Sequence, residues 1–434
     1  MDSAQRVFVI RRAVLGIAAL ALSAAALVGG ANLLGRLRDS QGSLPATVPG
    51  RLAYLGVDGN IYTLSLNDPM PLAVTTDGGE GDRAYLWPTW SLDGARLGFA
   101  AVLPAEGGGP PDRFLITTAP DGSEVQAAQL GPARPPFYLY WSPDGRHLSF
   151  LTEADDGGLS LGLAESDGGA VRYLYSGSPI YFAWAPDGRR LLLHSARREG
   201  GRLSDDLFIL PIETGRPTAQ VEEAPGAFRT PAWSQDGESA LFATGEGHLV
   251  LSDVAGASRR RLAEFEGSIA FEWSPREDKV AYLATESTEL GSLGTLRVLE
   301  VETGAETTLG SDDTMAFFWA PNGEKVAYLT AQAVASEQDS EEGRSRLLLT
   351  LHAVDVETGV SESLASFFPA RDFAFVLPFF DQYAHSLTFW SPDSRYFVYA
   401  GQGEIGGSGI WVVDVETGTR NQVAVGSVAV WSWQ

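Results

Sequence analysis

The sequence has 434 residues, with 31 Lys and Arg against 55 Asp and Glu, which gives a formal net charge of −24. This balance argues against wrapping nucleic acid or binding anionic lipid, because neutralising phosphates needs clustered Lys and Arg. The absence of cysteine excludes disulfides, thiolate metal sites and a cysteine nucleophile. Hydrophobic residues make up 44% of the chain, enough to fill a large core.

The first predicted element is a hydrophobic N-terminal segment. Residues 13–34 contain no charged side chain, and at about 1.5 Å rise per residue a helix of this length spans the roughly 30 Å hydrocarbon core. Three arginines stand in residues 1–12, a bias that favours a cytoplasmic N-terminus with the rest of the chain outside. We therefore predict a single-pass anchor in the lipid bilayer at residues 13–34, followed by a linker over residues 35–50.

Two other interpretations of this segment stay open at the sequence level. Gly29 and Ala31 supply small residues at −3 and −1 of a possible cleavage site, so the segment could be a signal sequence that is removed on export. Arg11 and Arg12 also resemble a twin-arginine export signal that lacks its usual flanking polar residue. All three interpretations export the remainder of the chain, into the periplasm if the segment is cleaved.

From residue 51 onward one pattern repeats: a tryptophan, a small residue, a Pro-Asp-Gly-like turn and an apolar strand. Pro presets φ at about −65°, Asp hydrogen-bonds its own backbone, and Gly accepts a positive φ, so each copy predicts a tight turn. The tryptophans, which we expect to pack between neighbouring repeats, are Trp90, Trp141, Trp184, Trp233, Trp273, Trp319, Trp390 and Trp431. The turn residues, to which we assign a structural role, are Asp93, Asp144, Asp187, Asp236, Asp278, Asn322 and Asp393.

The intervals between the tryptophans have the size of one four-stranded propeller blade with variable loops. A second turn pattern, such as Val301-Glu302-Thr303-Gly304, follows later in each unit, where a hairpin should join the outer two strands. An eighth unit begins with strands at residues 52–56 and 60–65, and its missing inner strand lies at residues 428–433. We therefore predict an all-β protein, a closed eight-bladed β-propeller over residues 51–434 whose last blade combines both termini. Seven blades is the alternative count.

The Trp-Ser-Pro-Asp-Gly units, of which residues 141–145 are the fullest copy, resemble the repeats of TolB-like (WD40-like, PD40-repeat) β-propellers. That family includes the periplasmic TolB protein and the propeller domains of prolyl-oligopeptidase-type peptidases. The resemblance covers residues 51–434 and is specific for the fold. It implies little about function, because this propeller serves scaffolds, receptors and enzyme lids alike.

Two short patterns could indicate an active site. Residues 158–162 match a nucleophile elbow and residues 401–406 match a dinucleotide fingerprint, but both lie in strand-like surroundings without the helix that each motif requires. The histidines, scattered over different repeats without metal-ligand spacing, are His147, His194, His248, His352 and His385. We predict no catalytic, cofactor-binding or metal site. The turn acids could alternatively form a cation site, but we expect them to cap their own turns.

Two insertions lengthen the interval between Trp319 and Trp390. Residues 331–346 are acidic and predict a solvated loop. Residues 367–385 are rich in aromatics and should be buried, either as a lid packed over the propeller's own surface or channel mouth, which we favour, or as a partner-binding patch. The candidate partner-binding residues are Phe367, Phe368, Arg371, Phe373, Phe375, Phe379, Phe380 and Tyr383.

Together these features predict a membrane-anchored, extracytoplasmic scaffold or protein-binding module of the cell envelope. Its propeller should be monomeric, its partner another envelope protein, and nucleic acid is not expected as a ligand. The alternative is a receptor for a small ligand, peptide or glycan in the central channel. An enzyme is the least favoured class, since no catalytic constellation is visible.

Overall fold

The computed structural model describes residues 47–105, 109–130, 135–154, 157–199, 202–223, 225–226, 229–254, 258–276, 278–335, 345–403 and 407–434. The strands in these residues are, in chain order, β1 (Leu52–Gly56), β2 (Ile61–Ser65), β3 (Asp68–Ala73), β4 (Ala84–Trp90), β5 (Leu97–Leu103), β6 (Asp112–Thr118), β7 (Gln126–Leu130), β8 (Phe137–Trp141), β9 (His147–Glu153), β10 (Leu159–Glu165), β11 (Arg172–Gly177), β12 (Ile180–Trp184), β13 (Arg190–Glu199), β14 (Arg202–Pro211), β15 (Ala219–Glu223), β16 (Ala232–Trp233), β17 (Ser239–Ala243), β18 (His248–Asp253), β19 (Arg259–Glu264), β20 (Ser268–Trp273), β21 (Lys279–Thr285), β22 (Thr295–Glu300), β23 (Glu306–Thr308), β24 (Thr314–Trp319), β25 (Lys325–Ala335), β26 (Ser345–Asp355), β27 (Ser361–Phe367), β28 (Tyr396–Gln402), β29 (Ser408–Asp414) and β30 (Arg420–Trp431). The helices are α1 (Arg371–Val376), α2 (Phe380–Tyr383) and two 3₁₀ turns, Glu80–Asp82 and Leu377–Phe379.

The strands pair antiparallel in seven hydrogen-bonded sheets, the blades of a propeller. Six blades are four-stranded meanders, formed by β4–β7, β8–β11, β12–β15, β16–β19, β20–β23 and β24–β27. The seventh sheet has six strands in the order β28-β29-β30-β1-β2-β3. The protein is therefore an all-β, seven-bladed β-propeller.

The prediction of eight blades is wrong, and strand β30 is the reason. Its residues 420–425 pair with β29 and its residues 426–431 pair with β1, so one continuous strand joins two sequence repeats in a single sheet. The segment around Trp390, expected to begin a separate blade, forms only isolated bridges to Phe397 and, through Thr388, to Trp431. Seven, the alternative count, is observed.

The expected pairing of the chain's last strand with its first is confirmed. Ala53 of β1 lies opposite Val430 of β30, and the register shifts between Leu55 and Gly56, where Gly426 is the partner. A Cβ on Gly426 would lie 2.5 Å from the Leu55 carbonyl oxygen, so glycine permits this close approach. The pairing closes the ring and removes two sheet edges.

The repeated tryptophans lie between blades. All eight are buried except Trp273, which is partly exposed. Several indole Nε1 groups donate to a backbone carbonyl of the preceding blade: Trp141 to Thr89 (3.2 Å), Trp233 to Ala183 (3.1 Å), Trp319 to Glu272 (3.4 Å) and Trp390 to Phe318 (3.0 Å). Each of these four tryptophans thus combines a large apolar contact with one hydrogen bond that sets the position of its blade.

The N-terminal anchor predicted at residues 13–34, with residues 1–12 and most of the linker, lies outside the described residues. No N-terminal helix belongs to the described part of the chain, and none of the helices found there is long and apolar enough to cross a membrane. In the acidic insertion predicted at 331–346, β25 continues to Ala335 and β26 begins at Ser345, so both ends of the insertion are strand rather than loop. Residues 336–344 lie outside the described ranges.

Candidate functional site at the channel mouth

Strand direction defines two faces of the propeller. Strands alternate in direction within a blade, so the turns after the first and third strands lie on one face, which we call the turn face. The loops after the second strand and the connections to the next blade lie on the opposite face, which we call the mouth face. The described chain begins at the turn face, where Val48 N–H donates to Asn67 Oδ1 (2.6 Å) and Asn67 Nδ2 donates to Val48 O (2.8 Å).

The aromatic insertion enters from the mouth face as the connection between β27 and Trp390. We call residues 370–386 the plug; they contain α1, a 3₁₀ turn and α2. Pro378 lies in the first turn of the 3₁₀ helix, where its missing N–H is tolerated. The fully buried plug residues Phe373, Val376, Leu377 and Phe380 follow the i, i+3, i+4, i+7 spacing of a helix with one apolar face.

The plug contacts the first strands of blades all around the ring. Helix α2 packs on β12, β20 and β24, and α1 packs on β28 and β30. The Tyr383 ring lies 5.2 Å from Tyr138 of β8, and the Phe375 ring lies 5.1 Å from Trp87 of β4. Tyr138 Oη also donates to the Gln382 carbonyl (2.8 Å). The insertion therefore occupies the central channel.

The structure separates the candidate partner-binding residues into two groups. Phe367, Phe373, Phe380 and Tyr383 are buried, so they pack against the propeller itself and do not form an exposed patch. The others are accessible to different degrees: Phe368, Phe375 and Phe379 are half-buried and Arg371 is exposed. For this second group, partner binding remains a prediction.

Inside the channel the plug brings polar side chains together. Asp381 of α2 accepts a hydrogen bond from Thr230 N–H (3.3 Å) and is near Glu272 of β20. Burial raises the pKa of Glu272 well above its usual range, and the nearby Asp381 raises it further. Burial also raises the pKa of Asp381, against the effect of Arg229, whose Nη2 donates to Ser268 Oγ (2.7 Å). Both carboxyl groups thus favour the neutral form more than an exposed acid does.

Unpaired buried oxygens mark the same cluster. In the described structure Asp381 Oδ1, Glu272 Oε1, Gln382 Oε1 and Thr230 Oγ1 have no hydrogen-bond partner. His385 stacks on Tyr140 with ring centroids 6.3 Å apart, and burial lowers its pKa to about 4, so this imidazole is neutral at pH 7. Within the described ranges, no group of three or more His, Cys, Asp or Glu is arranged to hold a metal ion.

Little free space remains beside the plug. The cavity lined by Trp87, Tyr383, Leu387 and Val428 has a volume of about 10 Å³, which is the size of one water molecule. This cavity is far smaller than the roughly 300–1,000 Å³ of a typical small-ligand pocket.

At the mouth of the channel, the outer side of the plug meets the loop between β21 and β22. A Cβ on Gly291 of this loop would lie 3.7 Å from Pro378 Cβ and 3.9 Å from Met315 Cε. Leu290 and Leu293 of the loop are each 39% exposed. We call this apolar area the mouth surface; it consists of Leu290, Leu293, Met315, Phe375, Pro378 and Phe379.

The turn acids on the opposite face are bonded within their own turns. The Oδ1 atom accepts a hydrogen bond from the serine hydroxyl two residues earlier, at 2.5 to 2.6 Å, in Asp93, Asp144, Asp236 and Asp393. Asp187 and Asn322 accept instead from the backbone N–H two residues later, at 2.8 Å and 3.1 Å. These bonds are the geometry of turn caps. The described residues show no corresponding bond for Asp278, and residue 277 of its turn lies outside the described ranges.

The two patterns with active-site spacing lie in sheet structure. Residues 159–162 of the first belong to β10, where Ser160 Oγ lies 3.2 Å from Ser176 Oγ of β11. In the second pattern, residues 401 and 402 end β28 and residues 404–406 lie outside the described ranges. Gly162 faces the Phe150 ring, where a Cβ would be only 2.1 Å from Cζ. That glycine therefore serves packing within the blade.

No protein-family model and no curated protein matches the sequence. Among solved structures, the dihydro-heme d1 dehydrogenase NirN matches with a TM-score of 0.56 and 13% identity, over 91% of this chain and 77% of that chain. Oligogalacturonate lyase in complex with manganese matches with a TM-score of 0.51 and 15% identity, over 86% and 97%. TolB from Acinetobacter baumannii matches with a TM-score of 0.40 and 15% identity, over 76% and 81%.

Similarity at this identity shows the fold alone, and the class that it defines is the β-propeller. The seven-bladed propeller of this chain is consistent with the TolB-like, WD40-like resemblance of its repeats. The matches with a TM-score above 0.5 include proteins named as a lyase and as a dehydrogenase, so the fold leaves enzymatic activity open.

Proposed function

We propose that the protein is a membrane-anchored, extracytoplasmic β-propeller that serves as a protein-binding or scaffold module of the cell envelope. The observation that carries this proposal is the plug, which fills the channel in which many propellers could hold a small ligand. Binding then uses the outer surface, where Phe375 and Phe379 of the plug are half-exposed and the loop that carries the exposed Leu290 and Leu293 approaches Pro378 through Gly291. Contiguous apolar surface of this kind is typical of protein interfaces.

The anchor in this proposal is the uncharged stretch of residues 13–34, with a linker leading to the turn face at Val48. The net charge of −24 supports a protein partner rather than nucleic acid. The alternative of a receptor for a small ligand, peptide or glycan is disfavoured by the packing of Tyr383 and Phe380 inside the channel. An enzymatic role is disfavoured by the burial of Glu272 of β20 and Asp381 of the plug inside the channel.

The location is testable because the chain has no cysteine. A Glu302→Cys variant places a thiol on the turn face, where Glu302 is exposed. A Ser3→Cys variant places a thiol in the predicted cytoplasmic segment. A membrane-impermeant maleimide should label Glu302→Cys in intact spheroplasts and Ser3→Cys only after lysis. Labelling of Glu302→Cys only after lysis would overturn the extracytoplasmic location. Extraction of the protein by alkaline carbonate would overturn the anchor.

The scaffold role is tested by cross-linking in native membranes followed by purification of the tagged full chain. We expect a near-stoichiometric protein of defined mass in the cross-linked product. Recovery of the protein only at its own mass, with several cross-linkers of different length, would contradict the scaffold role.

A further inference from the structure

We propose that the mouth surface binds a cationic, amphipathic segment of a partner protein. Apolar side chains of that segment would cover Leu290, Leu293, Phe375 and Phe379, and its Lys and Arg side chains would face surrounding acids. This inference rests on the proposed scaffold function and names the chemistry of the partner.

Hydrogen bonds within the β21–β22 loop hold Leu290 and Leu293 outward. Thr285 Oγ1 donates to Ser287 O (2.6 Å) and Ser292 Oγ donates to Glu289 O (2.7 Å), so hydrogen bonds within the β21–β22 loop fix its shape. Gly294 pairs with Thr314 and ties the end of the loop to β24. The loop therefore keeps Leu290 and Leu293 exposed, although burying large apolar side chains is favourable.

The β21–β22 loop and the plug both contribute to one apolar area. Gly291 of the loop approaches Pro378 of the plug and Met315 of β24, and the Phe375 and Phe379 rings are 6.3 Å apart. Aromatic, methionine and leucine side chains commonly form the apolar grooves that bind a partner helix.

Acidic side chains lie around the mouth surface. Exposed acids lie close in sequence to the apolar residues of the β21–β22 loop and of the β23–β24 connection. Others lie at the neighbouring β19–β20 connection. These acids are Glu264, Glu266, Glu286, Glu289, Asp312 and Asp313. Residues 286–294 and 309–315 contain no Lys or Arg. Arg371, the exposed cation of the plug, is bonded to Asp372 (3.0 Å). The surroundings of the mouth surface are therefore strongly acidic.

The negative charge and the apolar side chains of this surface indicate which kind of partner binds there. A cationic segment gains from the acidic surroundings and from the whole-chain charge of −24, which steers it toward the protein. A second copy of this chain would place acid against acid, and an anionic bilayer would be repelled in the same way. The apolar area requires that the segment be amphipathic rather than simply basic.

The test uses the full chain in phosphatidylcholine nanodiscs and a labelled Lys/Leu peptide of about five helical turns, with Leu on one face. Empty nanodiscs provide the background, and a scrambled peptide of equal composition tests for an amphipathic face. We expect saturable binding of the patterned peptide, which weakens as salt increases. The scrambled peptide should bind about tenfold more weakly or worse.

Matched variants locate the site. Leu290→Ser/Leu293→Ser and Glu286→Gln/Glu289→Gln should each weaken peptide binding by about tenfold or more. The control Val125→Ser/Val360→Ser removes apolar side chains that are 59% and 61% exposed on the turn face, and should leave binding unchanged. Glu302→Gln/Glu357→Gln is the matched charge control on that face. Because all these side chains are exposed, an unchanged melting temperature is expected and is checked for each variant.

Three results would overturn the inference: no saturable binding of the patterned peptide, equal binding of the scrambled peptide, or equal losses in mouth-face and turn-face variants. The scaffold function can fail or survive separately. If Leu290→Ser/Leu293→Ser protein still captures the cross-linked partner in native membranes, the scaffold role stands and the mouth surface is not its interface.

Discussion

At the scale of single residues, the least expected feature is a pair of acids buried in an apolar channel. Glu272 belongs to the wall and Asp381 to the plug, and burial raises the pKa of both carboxyl groups. As pH rises, an acid whose pKa is raised by folding keeps its proton in the folded chain at pH values where the unfolded chain has already lost it. Its contribution to stability is therefore complete below the unfolded-state pKa and is lost as pH rises through the folded-state pKa.

We therefore expect the contribution of Glu272 to the free energy of unfolding to decline as pH rises above the ordinary glutamate pKa of 4.5. Glu272→Gln removes this contribution, which amounts to about 1.4 kcal/mol for each unit by which folding raises the pKa. The variant should thus gain stability relative to the native chain as pH rises. Urea unfolding at a series of pH values measures this, with the exposed Glu302→Gln as control. Parallel pH profiles for the native chain and Glu272→Gln would contradict the expectation.

At the scale of elements, the plug is a short helical segment whose stability comes from packing. Helix α1 has six residues and α2 has four, too short to persist alone in water. The apolar spacing of Phe373, Val376, Leu377 and Phe380 could have indicated a helix. Phe373 and Phe380 are buried, as the sequence predicts, but they lie inside the channel rather than in a lid over the propeller's surface or channel mouth or in an interface.

Phe380→Ala tests the packing of the plug. The Phe380 ring lies 5.0 Å from Phe317 and 6.1 Å from Phe318, so its removal should lower the free energy of unfolding by about 3–5 kcal/mol. Phe379→Ala, at a half-exposed position of the same segment, is the matched control and should cost about 1 kcal/mol. Urea unfolding measures both losses. Equal, small losses would show that the plug is loosely attached.

The polar cluster inside the channel could not be identified from sequence. Arg229, Thr230, Glu272 and Asp381 stand in unremarkable surroundings along the chain and meet only because three elements converge on the channel. The accessible leucines of the mouth surface were likewise missed, since their exposure depends on the loop's own hydrogen bonds.

At the scale of the whole molecule, closure of the ring depends on β30. This strand pairs with β29 along its first half and with β1 along its second half. Because blades contact their neighbours around a closed ring, opening one junction exposes edges and apolar surface on both sides. Stability should therefore depend on the end of the chain as much as on any central strand.

Deleting residues 426–434 should destabilise the entire propeller by on the order of 5 kcal/mol or abolish folding, since a strand in the middle of a sheet is lost. Thermal unfolding monitored by tryptophan fluorescence should show one transition at a lower temperature. Deletion of Gln434 alone is the control and should have little effect. If the longer truncation melts like the full chain, the ring does not depend on this closure.

The all-β class, the positions of most strands and turns, and the pairing of the last strand with the first were predictable from the sequence alone. The strands and turns are encoded by residues close together in the chain, in period-two apolar strands and Pro-Asp-Gly turns, and the terminal pairing follows because each end of the chain carries only part of a blade. Tertiary structure alone decided that two repeats merge through β30, that the aromatic insertion fills the channel, and that Glu272 meets Asp381. Each of these depends on contacts between distant segments, which no local pattern of residues contains.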